Sequence, residues 1–169
     1  MGKLIKLNTP LLRLAGEIAR EAHTGQLYGT EPYYRAHILP VADFVKRLGY
    51  GEFSQATALL HDTPEDSEIS AEQLVLRGIP LAIAHAVDLL DKSKARDHTE
   101  YQTRFMSSRL SVVAKFADSN LNLANIVTRQ SPMPEEKNVR KIKEYSDNLR
   151  LATAGLPEPG FDDIYLNVA

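Results

Sequence analysis

The sequence predicts an all-α fold, a single-domain bundle of about eight helices. Apolar residues recur at three- and four-residue spacings in successive segments, and glycine and proline separate these segments. No segment of the sequence has a pattern that predicts a β-sheet. With 169 residues, of which 43% are hydrophobic, the chain is long enough for one core but short for two. We therefore expect one domain over residues 1–155, followed by a tail, residues 156–169, that is either docked or flexible.

The predicted helices follow one another with recognisable start and stop signals. Thr9 and Pro10 are typical of an N-cap and a first helical position, and Gly25 closes this first helix. A loop over 26–33 precedes a second helix that begins near Tyr34. Further helices are expected over 52–61, from the Ser70 capping box to Gly78, after Pro80, and over 98–107, 109–127 and 135–154.

Composition excludes several classes of function. The formal net charge of −2 argues against a general affinity for DNA or RNA, which requires a basic surface. No apolar run approaches the length of a membrane span, and the N-terminus lacks the apolar core of a secretory signal, so we expect a cytoplasmic protein without membrane association. There is no cysteine, so any metal must be held by histidine and carboxylate. The oligomeric state is left open.

The stretch LLHDTPED, residues 59–66, places ionisable groups directly after an apolar helical run. Such groups are costly to bury unless they are paired or bound to a cation. Neighbouring residues in a regular helix point about 100° apart, so His61 and Asp62 can share an ion only where the helix ends or distorts. Pro64 supplies a reason for that ending.

Two more candidate ligands lie elsewhere in the chain. His37 is near the start of the second predicted helix, and Asp118 is in an otherwise apolar helical stretch. Two imidazoles and two carboxylates without sulfur favour a hard or borderline divalent ion such as Mn²⁺, Fe²⁺, Co²⁺ or Mg²⁺. Each residue alone has a plainer interpretation, because a His-Asp dipeptide is common and a lone aspartate is usually a cap or a surface residue. The metal-site hypothesis depends on the combination.

Five motifs occur in order over most of the chain: Ala22 to Gln26, Tyr34-x-x-His37 with Val41-Ala42, LLHDTPED, Ala86-Val87 with Lys92, and Lys115 to Asp118 with Asn122. Together they resemble the HD-domain superfamily of metal-dependent phosphohydrolases. Within it they are similar to the hydrolase domain of the Rel/SpoT alarmone enzymes and to stand-alone SpoT-like small hydrolases. The resemblance implies that residues 1–155 form an HD-type helical bundle.

The same resemblance implies the site and the reaction. One divalent ion, typically Mn²⁺, is expected on His37, His61, Asp62 and Asp118. Glu65 and Asp66 are then the acidic pair that faces the attacking water. His23 is expected to support the ligands, and nucleotide contacts are expected from Thr30, Tyr34, Lys115, Asn122 and Asn125. The implied function is hydrolysis of a phosphorylated nucleotide, with the 3′-pyrophosphate of guanosine tetra- or pentaphosphate as the first candidate.

Three positions depart from the family pattern. Alarmone hydrolases usually carry a basic pair just before the first motif histidine, where this chain has Glu21 and Ala22, and Tyr28 stands where arginine or lysine is common. Fewer cations are expected to weaken the binding of a highly charged nucleotide. Two alternatives therefore stay open: a phosphatase or phosphodiesterase acting on another nucleotide such as NADPH, and a non-catalytic module that senses a nucleotide. A helical adaptor without metal leaves the matching polar residues unexplained.

Overall fold

A computed structural model describes residues 5–128 and 135–163 of the chain, and its fold is an all-α bundle, which confirms the predicted class. The helices are α1 (Pro10–Ala22), α2 (Leu39–Arg47), α3 (Glu52–Leu60), α4 (Thr63–Asp66), α5 (Ala71–Leu76), α6 (Leu81–Leu90), α7 (His98–Met106), α8 (Arg109–Val127) and α9 (Glu135–Gly155). Within these described ranges, no helix is both long and apolar enough to cross a bilayer.

Helix α3 forms the centre of the bundle. Its residues from Phe53 to Leu60 are all buried, and it packs against α1, α2, α6 and α8. Helix α9 lies along α8 and covers its outer side. Helices α3 and α8 are in contact, and the buried side chains of His61, at the end of α3, and Asp118, in the middle of α8, lie close together.

The segment predicted as a loop over 26–33 contains a short antiparallel hairpin. Strand β1 (Leu27–Tyr28) pairs with strand β2 (Glu31–Pro32), and the turn between them includes Gly29 at a φ of 65°, a conformation that glycine adopts without strain. Two-residue strands are too short to leave an alternating pattern in the sequence. The hairpin positions the tyrosines at its two ends, Tyr28 and Tyr33, beside the polar interior.

The second predicted helix begins with a π-helical segment, Tyr34–Ile38, rather than with a regular turn. The Leu39 amide donates to the Tyr34 carbonyl, five residues earlier in the chain. Pro40, which has no amide proton, follows directly and lies in the first turn of α2. This wide turn carries His37, whose side chain is buried.

The described part of the predicted tail, residues 156–163, is docked on the start of α3. Asp162 is buried, and its two carboxylate oxygens accept the amides of Gly51 at 3.1 Å and Ser54 at 2.9 Å. The Tyr50 hydroxyl donates to the Pro157 carbonyl at 2.8 Å. Asp162 thus caps α3 from a distant part of the chain. Residues 164–169 of the predicted tail lie outside the described residues.

Candidate metal and phosphohydrolase site

The structure brings the four predicted metal ligands together from three parts of the bundle. His61 and Asp62 lie between the end of α3 and the start of α4, His37 comes from the π-helical segment, and Asp118 comes from the middle of α8. The helix break that lets adjacent residues face one point is present, since α3 ends at Leu60 and Pro64 lies in the first turn of α4.

The spacing of the donor atoms fits a single divalent ion. His37 Nε2 lies 3.3 Å from His61 Nε2 and 3.2 Å from Asp118 Oδ1. His61 Nε2 lies 3.1 Å from Asp62 Oδ2. Donors about 2.1 Å from one ion are about 3.0 Å apart at right angles and about 3.4 Å apart at tetrahedral angles. These three separations lie in this range, and the His37–Asp62 and His61–Asp118 separations, both 3.6 Å, are slightly longer. Three of the four residues are buried.

The hydrogen bond of His61 sets its tautomer. Its Nδ1 lies 2.8 Å from the carbonyl oxygen of Ala58, which can only accept, so Nδ1 carries the proton. In the neutral ring, Nε2 then directs its lone pair towards the cluster. Nε2 is the same atom that lies within 3.6 Å of Asp62 and Asp118.

Charge within the cluster is balanced by protons when no cation is bound. Burial lowers the pKa of His61, but Asp62 and Asp118 outweigh this effect and raise the pKa to about 10. Burial likewise lowers the pKa of His37, and the same carboxylates raise it overall. Burial raises the pKa of Asp118, yet Lys115 and the two histidines hold it well below its usual range. A divalent ion that displaced these protons would satisfy both carboxylates.

Tyr33 is a residue of the site that the sequence analysis missed. Its hydroxyl donates to Asp62 Oδ2 at 2.6 Å, and its ring packs against those of His37 and His23 at centroid distances of 5.1 and 4.9 Å. Burial raises the pKa of Tyr33 well above its usual range, so the phenol stays protonated and donates. The only signal in the sequence is the aromatic pair before His37, and the family motif favours its other member, Tyr34.

The predicted substrate contacts Tyr34 and Thr30 do not line the cavity at the candidate metal site. The Tyr34 hydroxyl instead lies beside α1, close enough to Gly16 that a Cβ added there would be 3.1 Å away. Thr30 is exposed in the turn of the hairpin. Contact of these two residues with a nucleotide stays a prediction.

The other three predicted substrate contacts form a network around Asp118. Lys115 Nζ lies 2.8 Å from Asp118 Oδ2, and the Asn122 amide donates to Asp118 Oδ1. Tyr28 donates to Asn122 Oδ1 at 3.0 Å and accepts from Asn125 Nδ2 at 3.1 Å. These polar groups hold Asp118 in place, while Lys115 and Asn122 also line the cavity.

Glu65 and Asp66 lie on α4, on the open side of the ligand cluster. Burial raises the pKa of Glu65, and the nearby charge of Asp62 raises it further. Glu65 Oε2 accepts the Lys92 amide at 3.4 Å, and the pKa of Asp66 is raised by the same two causes, burial and Asp62. Both carboxylates line the cavity.

His23 is linked to the helix of the acidic pair, and its support of the metal ligands stays a prediction. Its Nδ1 lies 2.7 Å from Gln26 Oε1, and the Gln26 amide donates to the backbone carbonyl of Asp66 at 3.3 Å. Burial lowers the pKa of His23, which favours the neutral ring. These two hydrogen bonds therefore link the end of α1 to α4.

The cavity at the candidate metal site has a volume of about 180 Å³ and is mainly polar. Several of its lining residues come from α7 and α9 and were not predicted: Tyr101, Lys141, Glu144 and Tyr145. Glu144 pairs with both Lys92 and Lys141, the second at 3.4 Å. These residues are brought to the site by the packing of α9 on α8, for which no local sequence signal exists.

No family model matches the chain. The chain is 33% identical over 118 residues to the guanosine-3′,5′-bis(diphosphate) 3′-pyrophosphohydrolase of Haemophilus influenzae, covering 69% of this chain and 17% of that protein. It is 32% identical over 148 residues to a probable GTP pyrophosphokinase of Mycobacterium leprae, covering 82% and 18%. It is 30% identical over 125 residues to the bifunctional (p)ppGpp synthase/hydrolase SpoT of Escherichia coli, covering 72% and 17%. The chain is homologous to the Rel/SpoT enzymes. It spans less than a fifth of the length of each of these relatives.

Two of the three departures from the Rel/SpoT pattern, Glu21 and Tyr28, make specific contacts in this homologue. Glu21 forms a two-pronged ion pair with Arg77, with both N–O distances at 2.8 Å, on the exposed side of α1. Tyr28 stacks on the ring of the candidate ligand His37 at 5.2 Å and 12°. The side of the site formed by α1 and the hairpin is therefore aromatic where the family pattern is basic.

Proposed function

We propose that this chain is a Mn²⁺-dependent phosphohydrolase whose first candidate reaction is removal of the 3′-pyrophosphate from guanosine 3′,5′-bis(diphosphate). The observation that carries the proposal is the convergence of His37, His61 and Asp118, with Asp62 beside both histidines, next to the cavity that the acidic pair lines. The homology to proteins named for this hydrolysis supports the choice of substrate.

The four ligands offer two nitrogen and two oxygen donors, a set that suits Mn²⁺ and related hard or borderline ions. Bound there, such an ion would lower the pKa of water and neutralise negative charge on phosphoryl oxygens. The ligands are held in position for this task by neighbours: Tyr33 holds Asp62, Asn122 and Lys115 hold Asp118, and the Ala58 carbonyl orients His61.

Glu65 and Asp66 act as the groups that orient the attacking water and accept its proton. Their raised pKa values bring them closer to neutral pH, where a general base is most effective. The water oxygen forms a bond to the phosphorus attached to the ribose 3′ oxygen. The bond from that phosphorus to the ribose oxygen breaks, pyrophosphate leaves, and a proton passes to the ribose oxygen.

Lys115 contributes positive charge inside the cavity. Its ammonium group is half of a buried pair with Asp118 and lies over the ring of Tyr101 at 5.3 Å. Burial lowers the pKa of Lys115, but Asp118 outweighs this and holds it well above its usual range, so the side chain is charged. A fixed cation at this position stabilises charge on the phosphoryl group in the transition state.

A second candidate substrate is a less charged nucleotide such as NADPH, from which a 2′-phosphate would be removed. The observation that favours it is the aromatic wall of Tyr28 and Tyr33, together with the outward ion pair of Glu21. A non-catalytic nucleotide sensor is the third alternative, and the presence of both acidic residues in the cavity argues against it.

A panel of nucleotides assayed with Mn²⁺, Mg²⁺, Fe²⁺ and Co²⁺ tests the proposal, with His61→Ala as the control for contaminating activity. We expect pyrophosphate release from guanosine 3′,5′-bis(diphosphate), fastest with Mn²⁺. Phosphate release from NADPH alone would reject the first substrate and support the second. Nucleotide binding without turnover under any metal would reject the enzymatic function.

A further inference from the structure

We propose that the face of α9 beside the metal site carries a second phosphate-binding subsite, formed by Arg140, Lys141 and Lys143 with Lys92 and His98. This inference rests on the proposed function and names where the second phosphate group of the nucleotide binds. For guanosine 3′,5′-bis(diphosphate), that group is the 5′-diphosphate.

The cavity at the candidate metal site encloses only part of a nucleotide. Its volume of about 180 Å³ is small beside the 300–1,000 Å³ that is typical of pockets enclosing a small-molecule ligand. The cavity has room for one phosphoryl group beside the acidic pair, but not for a whole nucleotide. The remainder of the substrate must therefore extend into a neighbouring space.

A second cavity, of about 460 Å³, adjoins the first one. Lys92, Lys141 and Glu144 line both cavities, so the two spaces meet at these three side chains. The second cavity continues along α9 towards the exposed surface, with His98 of α7 on its other side. A nucleotide bound at the metal site can thus reach the second cavity without crossing the packed interior.

The second cavity is basic. Lysine and arginine contribute four cations to its lining, against the two carboxylates of Glu144 and Asp147. Glu144 is shared by two lysines, and Asp147 pairs with Lys143 at 2.7 Å. Among the residues that the structure describes, Arg140 has no carboxylate partner. The excess positive charge matches a phosphate group, and a guanidinium can bind two phosphate oxygens at once.

The opposite rim of the site lacks such charge. There Glu21 is engaged by Arg77, Ala22 is apolar, and Tyr28 is neutral and hydrogen-bonded to Asn122 and Asn125. Besides Lys115, the cations that line the two cavities are Lys92 and three residues of α9. This arrangement accounts for the departures from the family pattern without requiring a weakly charged substrate.

The double variant Arg140→Gln with Lys143→Gln tests the subsite. Its matched control is Lys137→Gln with Arg150→Gln, which removes the same two charge types from exposed positions of α9 outside the cavity. The substrates are guanosine 3′,5′-bis(diphosphate) and guanosine 3′-diphosphate, which lacks the 5′ group. We expect the first variant to reduce the ratio of their kcat/KM values about tenfold, mainly through KM, and the control to leave it unchanged. An unchanged ratio in the first variant, or an equal fall in both variants, would overturn the subsite.

A binding measurement separates failure of the subsite from failure of the proposed function. If wild-type protein hydrolyses neither nucleotide, the proposed function fails, and calorimetric titration with guanosine 3′,5′-bis(diphosphate) then decides the subsite. Binding that weakens about tenfold in Arg140→Gln with Lys143→Gln, but not in the control, supports it. Equal binding by all three proteins, or binding by none, overturns it.

Discussion

Replacing Tyr33 by phenylalanine removes one oxygen atom and with it the hydrogen bond to Asp62. The bond is 2.6 Å long and joins a protonated phenol to a carboxylate, so it belongs to the charge-assisted class. The phenyl ring keeps its packing against His23 and His37, because only the hydroxyl is lost. We therefore expect an effect on metal binding with little effect on folding.

The magnitude follows from the environment of Asp62. A hydrogen bond to a charged group contributes about 1.5–3 kcal/mol, and loss of a group that orients a metal ligand typically reduces metal affinity about 10- to 100-fold. The side chain of Asp62 is 22% exposed, so water can replace part of the lost bond. We therefore expect a loss of affinity near the lower end of this 10- to 100-fold range, with the Kd for Mn²⁺ rising about tenfold.

Titration calorimetry with Mn²⁺ measures this change, and Tyr34→Phe is the matched control. The two tyrosines are adjacent in the chain, but the hydroxyl of Tyr34 lies beside Gly16 on α1. We expect the control to bind Mn²⁺ as the wild type does. An unchanged Kd in Tyr33→Phe, or an equal loss in both variants, would refute the assignment of Tyr33 as the residue that positions Asp62.

Two further predictions concern the bundle and the acidic pair. Asp162→Ala leaves the amides at the start of α3 without their cap, so we expect the free energy of unfolding in urea to fall by about 1–3 kcal/mol. Glu158→Ala, at an exposed position, is the control. Equal stability of the two variants would contradict the capping role. Because burial raises the pKa of Glu65, its proton-accepting form is lost as the pH falls through that raised value, so kcat should rise with pH. Glu65→Gln should reduce kcat about 10²- to 10⁴-fold and abolish this rise of kcat with pH. A rise that persists in the variant would show that another group produces it.

Much of the bundle could be predicted because its helix signals are local. Thr9 caps α1, as its side chain accepts the Leu12 amide, and Ser70 forms the expected capping box with Gln73. The break before Pro64 was also predicted and is present. Such signals act over three or four residues, so they can be recognised before the fold is known.

The parts of the site that could not be predicted depend on packing between distant residues. Tyr33, rather than Tyr34, reaches Asp62 because the hairpin and the π-helical segment set the direction of both side chains. Glu144 reaches the cavity only because α9 packs along α8, and Asp162 caps a helix whose first residue is more than a hundred positions earlier. No periodic pattern encodes these contacts.

The most direct measurement of the central claim is the rate of pyrophosphate release from guanosine 3′,5′-bis(diphosphate) by wild type and by His61→Ala, in matched Mn²⁺ buffers, with bound metal determined on the same samples. His61 follows the last residue of α3, and its replacement removes one of the two nitrogen donors of the proposed metal site. We expect both the bound Mn²⁺ and the activity of the variant to fall at least about 10²-fold. Release of pyrophosphate at an equal rate by the two proteins would contradict the account.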